Sequence, residues 1–375
     1  MIEFKLPSLG ADMDEGKLLE WLVQPGDEVK RGQVVAIVDT SKAAVDVEIW
    51  QAGTVHELVV QPGERIPVGT ILATLLEPGE SVPPARPAAA PRASEPAARR
   101  RISPAARREA ESLGVDISVL TGTGPDASVT LEDVRQAAVR PSGPAPATPA
   151  TAIDRNTEMR KAIAAAMSRS KREIPHYYLS ETIPLRQASD WLAQQNAQRQ
   201  ITQRLLMAVL QLKAVALATR KFPEMNGFWR DQGFLPAPAT HLGVAIALRQ
   251  GGLLAPAIHD AANKTLEQLM GDLTDLVKRV RAGSLRSSEM SDPTLTVTNL
   301  GDQGVDAVYG VIYPPQVALV GFGKVRERPW VEAGEVRAVP LVIASLAADH
   351  RVSDGHRGAL FLAEIHELLQ HPEQL

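Results

Sequence analysis

Over residues 1–77 apolar and polar positions alternate in short runs, broken by Pro-Gly turns at Pro25-Gly26 and Pro62-Gly63. That pattern predicts short strands joined by tight turns. The segment also repeats. Laying Gln24-Pro25-Gly26 on Gln61-Pro62-Gly63, a shift of 37 positions (61 − 24), puts Val29 on Ile66, Gly32 on Gly69, Val34 on Ile71 and Ala36 on Ala73. Two matched β-halves predict a small sandwich or flattened barrel. The joining segment, Asp39-Thr40-Ser41-Lys42-Ala43, sits where a pseudo-symmetric fold makes its hairpin, so Lys42 is expected to be displayed.

The pattern then changes three times. Residues 78–100 have no apolar period and are rich in Pro and Ala, which predicts a semi-extended tether. At about 3.1 Å per residue it could span ~70 Å. Residues 101–138 form a miniature helical module, with Ser103-Pro104 opening one helix and Thr130-Leu131-Glu132-Asp133 opening another. A second Pro/Ala-rich tether covers 139–153. Residues 154–375 mix helix periods at 158–172, 201–221 and 265–280 with strand-like runs at Leu295–Thr298, Val317–Phe322 and Val339–Leu346. An α/β layered domain is expected there. The last run leads into Asp349-His350-Arg351-Val352-Ser353-Asp354-Gly355 and a closing helix.

Composition narrows the chemistry. The chain has 28 Pro and is 44% apolar, enough for a real core. It has no cysteine, which excludes disulfides, thiolate metal sites and a cysteine nucleophile, and fits a reducing cytoplasm. Any thiol chemistry must use thiols brought by cofactors. No targeting stretch precedes the first strand and no 18-residue apolar run follows, so neither export nor a membrane is expected. The net charge of −4 conceals an asymmetry: residues 1–77 hold 6 basic and 13 acidic side chains, net −7. Nucleic acid is an unsuitable partner for that surface.

Specific strings add to this reading. KLPSLGADMDEGKLLEWLVQPGDEV and VDTSKAAVDVE resemble a lipoyl domain, with Lys42 as the modified lysine; a biotin carrier shares the fold but flanks its lysine with methionines, unlike Ser41 and Ala43. SPAARREAESLGVDISVLTGTGPDASVTLEDV resembles the peripheral subunit-binding domain of dihydrolipoamide acyltransferases. The resemblance implies docking of the dihydrolipoamide dehydrogenase or the thiamine-dependent decarboxylase component through Arg107 and Arg108. Glu111 and Ser128 stand where relatives carry further arginines, which predicts weaker or redirected docking. MRKAIAAAMSRSKREIPHYYL, PEMNGFW, GGLLAPAI, LTVTNLG, YPPQVAL and DHRVSDG resemble, in order, the catalytic domain of the same acyltransferases, which shares its fold with chloramphenicol acetyltransferase. The implied organisation is multidomain: an all-β flattened lipoyl barrel, a small all-α binding module and an α/β chloramphenicol acetyltransferase-like catalytic domain.

What the resemblance implies chemically is acyl transfer from S-acyldihydrolipoyl-Lys42 to coenzyme A in a 2-oxo acid or acetoin dehydrogenase-type complex. The alternative is a non-catalytic lipoyl-bearing scaffold. A thiol of pKa about 8.5 is only a few per cent ionised at neutral pH, so a base is needed, and His350 takes that role. Thr298 matches the oxyanion donor, with Thr296 two residues away as the competing register. Asp354 is expected to support the histidine loop through an ion pair with Arg169, Lys171 or Arg172. Gly251, Gly252 and Leu253 lie near where coenzyme A enters, and His176 and Asn226 match further landmarks. Asp292-Pro293 and Asp302-Gln303 depart from the family pattern on either side of Thr298. The resemblance also implies a homotrimer with the active site between subunits. With Gln374-Leu375 where relatives carry several leucines, a larger cubic or dodecahedral core is not expected.

Overall fold

The computed structural model describes residues 1–8, 13, 15–40, 44–77, 104–113, 130–139, 155–248 and 252–375. The chain divides into two units, residues 1–80 with 154–375, and residues 81–153.

The N-terminal domain has eight strands, β1 (Ile2–Lys5), β2 (Glu15–Trp21), β3 (Glu28–Val29), β4 (Gln33–Asp39), β5 (Ala44–Ile49), β6 (Gly53–Leu58), β7 (Arg65–Pro67) and β8 (Ile71–Leu76). They form two sheets, ordered β1-β8-β6-β3 and β5-β4-β2-β7. The sequence repeat is a structural one. Gly26 N donates to Val55 O at 2.7 Å while Val55 N donates to Asp27 O at 2.9 Å; 37 positions on, Gly63 N donates to Leu18 O at 2.7 Å and Leu18 N to Glu64 O at 3.0 Å. Gly26 and Gly63 share positive φ, 97° and 99°, a conformation that disfavours any side chain. Leu18, Val38, Val47, Leu72 and Leu75 fill the space between the sheets.

The second unit contains α1 (Pro104–Leu113) and α2 (Leu131–Val139). Thr130 and Asp133 cap α2 reciprocally: Thr130 N donates to Asp133 Oδ2 at 2.8 Å and Asp133 N to Thr130 Oγ1 at 3.4 Å. Ala106, Ala110 and Val134 are buried, and Arg135 on α2 pairs with Glu109 on α1 at 3.1 Å.

The C-terminal domain carries α3 (Arg155–Glu173), β9 (His176–Pro184), α4 (Arg186–Ala197), α5 (Met207–Lys221), β10 (Gly227–Arg230), β11 (Gly233–Pro236), β12 (Leu242–Val244), β13 (Ile246–Ala247), β14 (Leu253–Leu254), β15 (Ala257–Ile258), α6 (Leu266–Ala282), β16 (Leu285–Arg286), α7 (Ser287–Ser291), β17 (Leu295–Asn299), β18 (Ala318–Phe322), β19 (Arg326–Glu332), β20 (Glu335–Asp349) and α8 (Gly355–Gln370). Its main sheet runs β15-β12-β17-β18-β20-β19, with β9 also paired to β20. Helices α5, α6 and α8 cover it, burying Val209, Leu210, Val215, Leu269, Leu276, Phe361 and Ile365 against Leu295, Val320 and Leu346.

Two expectations change here. The helix expected over 201–221 begins at Met207, after a short 3₁₀ turn at Ile201–Gln203. The stretch Ile201–Lys221 is long and apolar enough to cross a membrane by composition alone, against the expectation that no such run exists. From Met207 on it is nonetheless the domain's central, largely buried helix α5. Its polar side chains are satisfied inside the fold: Lys213 Nζ donates to Ala262 O at 2.9 Å and Gln211 accepts from Asn299 at 2.9 Å. The strand expected at 339–346 is also longer, reaching Glu335 and Asp349, because its outer half is exposed and polar and carries no period-2 burial signal.

Candidate active site

β20 delivers the site. It is hydrogen-bonded to β9 from Leu341 to Asp349 and to β18 from Ala344 to Ala348, so the residues before His350 are held on both edges. Asp349 is fully buried. Such a carboxylate needs a partner, and Arg351 supplies a two-pronged one, Nε to Oδ1 at 2.9 Å and Nη2 to Oδ2 at 2.6 Å. The guanidinium lies 4.6 Å over the Trp229 ring. His350 N donates to Pro175 O at 3.0 Å, and Val352 N and Ser353 N both donate to Asp349 O. The imidazole projects from this clamped turn, exposed, with its ring edge-on to Tyr177 at 5.3 Å. Tyr177 in turn exchanges a hydrogen bond with Ser353 at 2.8 Å, and burial raises its phenol pKa.

Two histidines separate by role. His176 Nδ1 lies 2.9 Å from Ile174 O and its Nε2 accepts from Ile312 N at 3.2 Å; burial pushes its pKa down. Both nitrogens are committed, so His176 is a packed, neutral core histidine. Among the described residues nothing hydrogen-bonds the His350 ring, whose nitrogens are available to a substrate.

The threonines of LTVTNLG separate the same way. Thr296 Oγ1 is buried and donates to Gln316 Oε1 at 2.7 Å; Thr294 Oγ1 donates to Asn226 Oδ1 at 2.5 Å. Among the described residues the Thr298 hydroxyl has no hydrogen-bond partner. Asn226 also donates to Ala239 O at 3.2 Å, which makes it a brace between the segments that flank the strands.

Within one chain His350 and Thr298 are not neighbours. Thr298 is level with Gly321 on β18, and Gly321 with Ser345 on β20. His350 lies five positions farther along, about 16 Å, and two strand spacings, about 10 Å, across. They cannot touch one thioester in the same subunit.

Asp354 corrects an expectation. Among the described residues it has no ion pair. Its side chain caps α8 by accepting from Arg357 N at 2.9 Å, and the hydrogen bonds from the Arg357 and His356 amides hold its carboxyl below the usual range. Arg169 pairs instead with Glu173 at 3.0 Å, and Lys171 donates to the Tyr178 hydroxyl. The ion pair that fixes the histidine turn is Asp349–Arg351, which the sequence reading missed although both residues flank His350. Asp292, the unusual residue before Thr298, is taken up by His259 at 3.0 Å. Burial raises its pKa, but the bonds from His259 and Ser291 outweigh this and leave it lowered.

Lys42, Gly251 and Ser128 lie outside the described residues, as do the side chains of Arg107 and Glu111. Asp39 and Ala44 face each other across β4 and β5, and Lys42 lies between them in the sequence. Arg108 is exposed on α1. Gly252 has φ of 100°, and a Cβ there would come within 2.1 Å of Met159 Sδ, so only glycine fits. Leu253 pairs with Ala247 and lines a cavity of about 220 Å³ with Arg230, Met290 and Gln316.

A histidine raised on a clamped strand end, with a β domain of two matched halves and a small helical module on the same chain, is the arrangement of a multidomain acyltransferase. Comparison with known proteins agrees. Residues 149–375 match the family model for the 2-oxoacid dehydrogenases acyltransferase catalytic domain, residues 2–75 that described as biotin-requiring enzyme, the biotin/lipoyl attachment domain, and residues 100–135 the E3-binding domain. The dihydrolipoyllysine-residue acetyltransferase component of the pyruvate dehydrogenase complex from Rhizobium meliloti is 32% identical over 441 aligned positions, covering 99% of this chain and 98% of that protein. A solved structure of a probable dihydrolipoamide acetyltransferase from Listeria monocytogenes aligns with 57% of this chain and 92% of its own, at 28% identity and TM-score 0.54. That of Azotobacter vinelandii dihydrolipoamide acetyltransferase aligns with 56% and 88%, at 25% identity and TM-score 0.53. The chain belongs to the 2-oxoacid dehydrogenase acyltransferase family.

Proposed function

We propose that this chain transfers an acyl group, acetyl by analogy with its pyruvate dehydrogenase relatives, from dihydrolipoyl-Lys42 to coenzyme A. The observation that carries the proposal is the contrast between His176, both of whose nitrogens are spent, and His350, whose ring is free at the end of a clamped strand. Lipoate on Lys42 supplies the thiol that carries the acyl thioester. His350 accepts the proton of the coenzyme A thiol as its sulfur attacks, a general-base role typically worth ~10²–10⁴ in rate. Thr298 donates its unspent hydroxyl to the thioester oxygen as negative charge develops there. Asp354 positions the base by ending the turn and starting α8.

The Azotobacter structure was determined to probe the catalytic role of a serine, a histidine and an asparagine, which stand at the same separations along that chain as Thr298, His350 and Asp354 here. An asparagine can cap a helix as aspartate does but cannot form an ion pair, which favours the capping role for Asp354. Reverse assay of lipoylated protein with a panel of acyl-CoAs and dihydrolipoamide tests the proposal. Turnover with acetyl-CoA is expected; no turnover with any of them would identify a lipoyl-bearing scaffold instead. Protein expressed with lipoate is expected to gain the lipoyl mass, and Lys42→Ala to lose it. Retention of that mass in the variant would move the attachment site elsewhere.

The separation of His350 from Thr298 in one chain, and the exposure of the His350 ring, favour a trimer in which His350 of one subunit meets Thr298 of the next. Light scattering during size exclusion is expected to give the mass of three chains. A monomer that retains activity would overturn the shared site. The E3-binding domain is expected to dock a dihydrolipoamide dehydrogenase, with the decarboxylase as the other component of the complex.

A further inference from the structure

The free edge of the N-terminal domain's second sheet is occupied by the catalytic domain. β16 pairs in parallel with β5, Leu285 opposite Val45 and Arg286 opposite Asp46. Leu285 and Val45 are each 1% exposed. Beside this ladder the Glu48 carboxylate is buried, and among the described residues it accepts only from catalytic-domain groups: Ser288 N at 3.2 Å, Ser288 Oγ at 2.5 Å and Ser287 Oγ at 3.5 Å. Glu48 N donates to Ser287 Oγ at 3.1 Å. An unpaired strand edge and a carboxylate are both ready to be satisfied by a partner, and here the partner is the same chain, some 240 positions away.

We infer that Leu285–Ser288 is a docking station for the chain's own lipoyl domain, which it recognises by adding a strand to β5 and by hydrogen-bonding Glu48. The inference rests on the reading that this domain carries the acyl group to the catalytic domain. Charge favours the pairing: the domain is net −7, and Asp46 faces Arg286. Position matters too, since the paired residue Val45 follows the proposed attachment lysine, Lys42, by only three positions in the sequence. The docked domain places Ser8 in the wall of the cavity that Leu253 lines. The contact is small, two ladder positions and one carboxylate, far short of what holds free partners together. A tether raises the local concentration to the order of millimolar, so a weak contact is populated and still releases.

The absence of cysteine gives a clean test on the full-length protein expressed without lipoate, so that no lipoyl dithiol competes with the introduced thiols. Asp46→Cys with Arg286→Cys puts two thiols on facing ladder positions, within disulfide range. Glu57→Cys with Arg286→Cys uses the same tether but the opposite sheet. Under mild oxidation the first pair is expected to close within one chain at least ~10-fold faster than the second, because docking adds to tethering. Adding Glu48→Lys, or Ser288→Glu on the other domain, is expected to slow the first pair to the rate of the second. Equal rates for the two pairs, closure only between different chains, or indifference to both charge changes would each overturn the inference. The readout needs no turnover, so a chain that failed to transfer acyl groups would sink the functional proposal and leave the docking station standing.

Discussion

Replacing His350 by alanine is expected to lower kcat/KM for acyl transfer by ~10²–10⁴, the contribution of a positioned general base, with the fold and lipoylation retained. The turn that presents the ring does not depend on it: Asp349–Arg351 and the amide bond from His350 to Pro175 are all made by other atoms. What the alanine removes is the ring, with its edge contact to Tyr177. Tyr177→Phe is the control, since it keeps that contact and removes only the bond to Ser353. It is expected to cost less than about tenfold, as a positioning residue should. Circular dichroism and the melting midpoint separate lost chemistry from lost structure. Loss of activity in Tyr177→Phe equal to that in His350→Ala would move the base away from His350.

Thr298→Ala is expected to lower kcat by ~10²–10³ and leave KM close to its starting value, because an oxyanion contact strengthens only in the transition state. Thr298→Ser should recover most of the loss, since it restores the hydroxyl. Thr296→Ala should behave differently. It strands the buried Gln316 amide that Thr296 now satisfies, at a cost of about 1–3 kcal/mol of stability, and should leave kcat nearly intact at low temperature. If Thr296→Ala alone lowers kcat, the donor has been assigned two residues out of register.

Much of this molecule is legible in its sequence where the signal is local. The repeat in residues 1–77 becomes two matched sets of turns and ladders, and Thr130-x-x-Asp133 becomes the cap expected of it. The strand at 295–298 is found one residue longer. The failures share a cause, dependence on distant partners. Residues 201–206 have the composition of helix, yet Asn196 takes both the amide and the carbonyl of Leu205 and the helix starts later. An ion pair for Asp354 was expected from resemblance, but the amides of the next turn are nearer than any cation. That the Thr296 hydroxyl is spent depends on Gln316, 20 positions away. Nothing in VDVEIW announces that Glu48 will meet Ser287 and Ser288.

The length of β20 ties two properties together. Fifteen residues of one strand join the hairpin with β19, the middle of the main sheet and His350, the proposed base. Over its last nine residues the strand is bonded to β9, and to β18 for most of them, so His350 has no hinge between itself and the core. Heat cannot loosen the catalytic turn without opening the sheet, and the amides of Ala347 and Ala348 should exchange with solvent only through global unfolding. Inactivation and melting should therefore coincide, with no warm, folded, inactive form between them.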